Sequence, residues 1–178
     1  ALWPLLHFRL GLMHFRREDY AGYLAVNATF ASALRQVLQP DDMVWAHDYH
    51  LLPFGRMLRS HGFAGPLGFF LHVPFVPPPL LETLPVGRKL VADLCAYDLV
   101  GFQTEDHARH FRDCARLWLG ATVHGEWVRL DDHVVRAFAS PIGIDADAFR
   151  RTAIRAAGSK RVQSLVGRRA GRPLAVGA

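Results

Sequence analysis

Met43-Val44-Trp45-Ala46-His47-Asp48-Tyr49-His50 is an apolar run of strand length that ends abruptly in hydrogen-bonding side chains. The pattern recurs twice. Leu67-Gly68-Phe69-Phe70-Leu71-His72 and Asp98-Leu99-Val100-Gly101-Phe102, the latter followed by Gln103-Thr104, are again short apolar runs with polar residues at their carboxyl ends. Each reads as a strand with apolar side chains on both faces, the habit of parallel sheets.

Helical patterns separate these runs. Glu18 to Gln39 places Tyr20, Tyr23, Leu24, Asn27, Phe30, Ala31, Leu34, Val37 and Leu38 at three- and four-residue steps, and Pro40-Asp41-Asp42 ends it. Leu51 to His61 reads as a helix stopped at Gly62, and Pro79 to Leu94 as one broken at Pro85. Thr104-Glu105-Asp106-His107 opens another with a capping threonine and early acids, which suit the positive end of the helix dipole. That helix runs to about Leu119. Beyond Gly120, Thr122 to Leu130 and His133 to Ser140 pattern as a hairpin about Asp131-Asp132. Pro141-Ile142-Gly143-Ile144-Asp145 begins a new segment, and Pro173 to Gly177 reads as one more strand. Strands alternating with helices predict an α/β fold, a doubly wound, Rossmann-like parallel sheet with helices on both faces.

Composition excludes several alternatives. In 178 residues, 51% are hydrophobic, with 12 Phe and 4 Trp, enough for a core and too apolar for a disordered chain. Two cysteines, Cys95 and Cys114, set no disulfide framework and read as buried thiols. The apolar stretches fall short of the ~20 residues of a transmembrane helix, and nothing at Ala1 resembles a signal peptide, so a cytoplasmic protein is expected. The net charge of +5 invites a nucleic-acid reading. Its distribution argues against it: Ala1 to Phe149 has 13 basic and 16 acidic residues, whereas Arg150 to Ala178 has eight basic residues and no acid. The basic tail is interleaved with Ala and Gly and reads as a solvated helical linker, so no nucleic-acid partner is expected.

In a doubly wound sheet, ligands bind beyond the carboxyl ends of the strands. Three such ends are His47-Asp48-Tyr49-His50, His72-Val73-Pro74-Phe75 and Gly101-Phe102-Gln103-Thr104. Trp3-Pro4 with His7 and Arg9 adds an aromatic face and a cation, the pair that stacks on a sugar and holds a phosphate. A phosphorylated polyol is the ligand these groups suit. His47, Asp48 and His50 could ligate a metal, but no cysteine or further acid accompanies them and no metal is expected. His47 reads instead as a buried hydrogen-bonding residue at a strand end. Asp48 is costly to bury unpaired and reads as functional. Without further information Trp3 could be a packing aromatic, His72 a turn residue and Gln103 a helix cap.

Leu2-Trp3-Pro4-Leu5-Leu6-His7-Phe8-Arg9, Trp45-Ala46-His47-Asp48-Tyr49-His50-Leu51-Leu52-Pro53, Gly68-Phe69-Phe70-Leu71-His72-Val73-Pro74-Phe75 and Tyr97-Asp98-Leu99-Val100-Gly101-Phe102-Gln103-Thr104 together resemble the trehalose-6-phosphate synthase family, in order and spacing. Pro141-Ile142-Gly143-Ile144-Asp145 resembles the segment that closes the N-terminal half of those enzymes. They are retaining glycosyltransferases with two Rossmann-like domains facing one cleft, and they move glucose from UDP-glucose onto glucose 6-phosphate. The resemblance implies that Trp3 and Tyr49 contact the acceptor sugar phosphate, that Asp48 holds its hydroxyls, and that Gln103 lies on the acceptor side. It places His72 at the donor glucose beside the reacting carbon, with His72 and Asp48 as the catalytic pair. No cofactor is implied besides the donor substrate UDP-glucose, and no carboxylate nucleophile.

The resemblance further implies a partial acceptor domain over residues 1–149, with 150–178 a linker into a nucleotide-sugar domain. A fragment of this kind is expected to be inactive in isolation, and a homo-oligomer of the full-length enzyme is left open. A glucosylglycerol-phosphate synthase, a pseudo-glycosyltransferase and a non-catalytic sugar-phosphate-binding remnant are the alternatives.

Overall fold

The computed structural model describes residues 1–168. The strand expected over Pro173 to Gly177 lies outside the described residues. Contacts divide the chain into two compact units, Ala1–Pro141 and Ile142–Ala178.

The first unit is built on the three apolar runs. They form β1 (Val44–His47), β2 (Leu67–Leu71) and β3 (Leu99–Phe102), all parallel, with Val44 opposite Leu67 and Gly68 opposite Leu99. Helices α3 (Phe54–Ser60) and α5 (Gly87–Leu94) make the crossovers. The short α1 (Leu2–Leu6), the long α2 (Arg17–Arg35) and α4 (Pro78–Leu81) complete the part before β3. The break expected at Pro85 separates α4 from α5. Helix α2 ends four residues earlier than its pattern suggests, and Phe30 and Val37 on the expected apolar face are exposed. Only Asn27 and Ala31 of that helix are buried.

The hairpin region departs from expectation in an informative way. Thr122 to Leu130 is two strands, β4 (Thr122–His124) and β5 (Trp127–Leu130), reversing at Gly125, whose φ of 58° suits glycine. β6 (His133–Ala139) pairs antiparallel with β5 across the Asp131-Asp132 turn, and parallel with β3 on its other edge. The sheet therefore runs β1-β2-β3-β6-β5-β4, four parallel strands extended through two antiparallel pairings, β6 with β5 and β5 with β4.

Helix α6 (Glu105–Leu119) joins β3 to the hairpin and opens as expected, the Thr104 hydroxyl accepting a hydrogen bond from the His107 N–H at 3.3 Å. It closes at Gly120 in the left-handed conformation. The steps β1 to β2, β2 to β3 and β3 to β6 all proceed in one direction across the sheet. Right-handed crossovers then put α3, α5 and α6 on the same face. Side chains on that face, among them Val44, Ala46, Phe69, Leu71, Val100, Phe102 and Val135, are buried. On the opposite face a paired row of Trp45, Gly68, Leu99, Arg136 and Trp127 lies open, with Trp45 64%, Leu99 44% and Trp127 52% exposed. The expected α/β class holds, with helices flanking the sheet, but the crossover helices do not cover this second face.

The second unit, described by itself, holds α7 (Ala146–Ala157) and α8 (Lys160–Arg168). Asp145 caps α7, its carboxylate accepting from the Ala148 N–H at 2.8 Å. Both helices are solvated along nearly their whole length.

Candidate functional site at the carboxyl edge of the sheet

Asp48 follows the last residue of β1 and sits at φ 68°, ψ 167°, a region populated almost solely by glycine. Strand β2 holds it there. The Asp48 N–H donates to the Phe70 carbonyl at 2.8 Å, and its carboxylate accepts from the His72 N–H at 3.3 Å. Strain of this kind costs about 1–3 kcal/mol and persists where the surroundings over-determine it. Asp48 and His72 are thus brought together by adjacent parallel strands.

His72 lies exposed immediately beyond β2, and Gln103 lies half-buried immediately beyond β3. The pairing of Leu71 with Phe102 makes His72 and Gln103 the next residues on neighbouring strands. The loop after His72 is fixed from α6, where His110 Nδ1 lies 2.9 Å from the Phe75 carbonyl.

Tyr49 begins a 3-10 turn, Tyr49–Leu51, that the buried Asn27 and Tyr97 and the half-buried Tyr23 pin in place. The Tyr23 hydroxyl donates to the Tyr49 carbonyl at 2.7 Å and accepts from the Leu52 N–H at 3.2 Å. Asn27 Nδ2 donates to the carbonyls of Tyr23 and His50. The Tyr97 hydroxyl donates to the Leu51 carbonyl at 2.8 Å and accepts from the Gly55 N–H at 2.9 Å. Burial pushes the phenols of Tyr23 and Tyr97 well above their ordinary range, so both stay neutral donors.

Trp3 lies in α1, its ring stacked on His7 at 4.5 Å, with the Arg9 guanidinium carbon 6.0 Å from the ring centre. Trp3 and Tyr49 line one cavity of about 270 Å³, with Tyr20, Tyr23, His14 and Leu90 among the other walls. The sequence-derived residues therefore fall into two neighbourhoods that meet just after β1: Asp48 with His72 and Gln103 along the strand ends, and Tyr49 with Trp3 in the cavity.

His47 is corrected by the structure. It is exposed, not buried, and its Nδ1 lies 3.0 Å from His72 Nε2. Tyr23 and Asn27 were legible only as helix positions, although a polar Asn on an apolar stripe marks a side chain with a hydrogen-bonding task. Among the described residues no group of three or more His, Cys, Asp or Glu could hold a metal ion.

The glycosyltransferase family 20 model matches residues 1–177. The chain belongs to that family. Among curated family members, the trehalose-6-phosphate synthase of Cronobacter sakazakii is 43% identical over 149 residues, covering 83% of this chain and 31% of that protein. The Escherichia coli K12 enzyme is 43% identical over 158 residues, covering 86% of this chain and 32% of its own length. The chain thus spans about a third of the curated relatives it matches.

A solved alpha,alpha-trehalose-phosphate synthase (UDP-forming) from Burkholderia vietnamiensis superposes with a TM-score of 0.91 at 43% identity, over 97% of this chain and 37% of the other. The Burkholderia xenovorans enzyme in complex with glucose-6-phosphate gives 0.87 at 38% identity, over 93% and 37%.

Proposed function

We propose that this chain supplies the acceptor side of a trehalose-6-phosphate synthase, which transfers glucose from UDP-glucose to glucose 6-phosphate. The observation that carries this reading is Asp48, held in a glycine-only conformation against His72 at the carboxyl edge of the parallel sheet. A strained carboxylate at this edge is placed for ligand, since folding alone would favour glycine there. Solved relatives include one with glucose-6-phosphate and one from E. coli bound with UDP-2-fluoro glucose, which supports both substrates.

Under this reading the Trp3 indole stacks on the acceptor ring, with Tyr49 beside it in the same cavity. Asp48 accepts hydrogen bonds from acceptor hydroxyls, and the Gln103 amide bonds the acceptor from the neighbouring strand end. His72 orients the donor glucose at the reacting carbon. The acceptor oxygen bonds to the glucose anomeric carbon as its bond to UDP breaks, and the acceptor proton passes to the departing phosphate on the same face. The protein contributes position and preorganised charge. Neither UDP-glucose nor glucose 6-phosphate requires a membrane, which favours a cytoplasmic setting; among the described residues no helix is long and apolar enough to cross one.

Titration of glucose 6-phosphate into the chain, followed by amide and indole NMR, tests the reading. Saturable shifts at Trp3, Tyr49 and Gln103, lost in Asp48→Asn, are expected. Unmoved signals, or equal shifts from inorganic phosphate, would overturn it. Stronger competition by glycerol 3-phosphate would move the assignment to a glucosylglycerol-phosphate synthase.

A further inference from the structure

His47 has no role in the reaction as proposed, yet one of its ring nitrogens lies within hydrogen-bond distance of the His72 ring. Its Nδ1 lies 3.0 Å from His72 Nε2, and the two rings overlap with centroids 5.2 Å apart and planes 24° apart. Aromatic rings flank the pair. Trp45 lies 4.5 Å from His47, and Phe70 lies 4.9 Å from His72. Phe70 occupies space that a side chain at position 101 would take, since a Cβ on Gly101 would fall 2.6 Å from Phe70 Cδ2. Register reinforces the arrangement, because His47 pairs with Phe70 across β1 and β2.

A neutral imidazole carries one N–H, so a single hydrogen bond between Nδ1 of one ring and Nε2 of the other admits two arrangements. Either both rings are protonated at Nε2 and His72 donates, or both are protonated at Nδ1 and His47 donates. Free imidazole side chains in water favour protonation at Nε2, and His47 is exposed, so water readily accepts from its Nε2–H.

We propose that His47 is a positioning residue whose Nδ1 accepts from His72 Nε2–H, leaving His72 Nδ1 as an unprotonated acceptor for a hydroxyl of the donor sugar. This rests on the donor-side role given to His72 and deepens it. The same logic operates where a second group sets the tautomer of a functional histidine. His47 touches no substrate in this scheme; it fixes which nitrogen of His72 can accept a hydrogen bond from one.

Long-range 1H–15N histidine spectra of the chain at about pH 8, above the ordinary imidazole range, give the test without substrate. Both His47 and His72 are expected as single Nε2–H tautomers. In His47→Phe, His72 is expected to become a mixture of exchanging tautomers. His47→Asn, whose Oδ1 can stand where Nδ1 stood, is expected to restore the single form. A native His72 protonated at Nδ1, or a His72 spectrum unchanged in His47→Phe, overturns the proposal. Because no sugar is present, this result stands apart from the glucose 6-phosphate titration, and either can fail alone. In an enzyme of full family length, His47→Phe is expected to lower kcat about ten- to a hundredfold with the KM for glucose 6-phosphate unchanged. An unchanged kcat there also overturns it.

Discussion

Replacing Tyr97 by Phe removes one oxygen atom, and the structure sets the size of the effect. The ring is buried against Phe69, with centroids 5.1 Å apart, so the phenylalanine keeps its packing. Two hydrogen bonds disappear, one to the Leu51 carbonyl and one from the Gly55 N–H. Gly55 is the second residue of α3, in the first turn, where N–H groups have no acceptor within their own helix. Losing the two bonds costs about 0.5–1.5 kcal/mol each, and stranding a buried N–H adds to that, so about 2–3 kcal/mol is expected in total. In a chain of this size that corresponds to a fall of roughly 5–10 °C in Tm.

Urea unfolding followed by circular dichroism, with an unchanged slope, is the assay. The loss should be the same at about pH 6 and about pH 9, because the buried phenol stays neutral over that range. Gly55→Ala attacks the same joint from the other side, since its Cβ would lie 2.5 Å from the Tyr97 ring. The double variant should lose less than the two single losses combined. A Tyr97→Phe cost below about 0.5 kcal/mol would refute the claim that this hydroxyl holds the turn carrying Tyr49.

Three further outcomes are expected. At position 48, Gly should exceed Ala in stability by about 1 kcal/mol or more, reversing the usual order, because only Gly relaxes at φ 68°; parallel denaturation curves check this, and both variants should lose the glucose 6-phosphate response. Burial pushes the thiols of Cys95 and Cys114 up from 9.0 to about 12. A group raised on folding contributes stability that is complete below its unfolded value and lost as pH rises through the folded one. The urea midpoint should therefore fall between about pH 9 and pH 12, and less steeply in Cys95→Ala/Cys114→Ala. Thr104→Ala removes the α6 cap and should cost about 1 kcal/mol in the same denaturation assay.

How much of this was legible beforehand varies by element. The three parallel strands and the capped α6 were readable because apolar runs and a Thr-Glu-Asp start are local signals. The β4–β5 reversal was not, because a single glycine, Gly125 at the first position of a two-residue loop, is a weaker signal than the Asn-Gly or Asp-Gly pair. Nor was the return of β6 to β3, a long-range pairing with no local signature. The strain at Asp48 and the contact of His47 with His72 exist only once β2 lies beside β1.

The Tyr97-to-Thr104 stretch also mixes tasks. Asp98 accepts from Arg59 at 2.8 Å and from the Leu67 N–H at 2.7 Å, at the edge of the sheet opposite to the site. Tyr97 and Asp98 secure the fold, and Gln103 alone of the stretch stands among the proposed ligand contacts.

The open row on the sheet gives the chain a reporter of its own. Two of its 4 tryptophans, Trp45 and Trp127, stand on that face, and Trp127 lies beneath the Arg136 guanidinium at 5.8 Å. A polypeptide that covered the whole row, from Trp45 on β1 to Trp127 on β5, would dry both indoles. Fluorescence will then move toward shorter wavelengths without any label, and the depth of that blue shift will measure how much of the sheet has been closed.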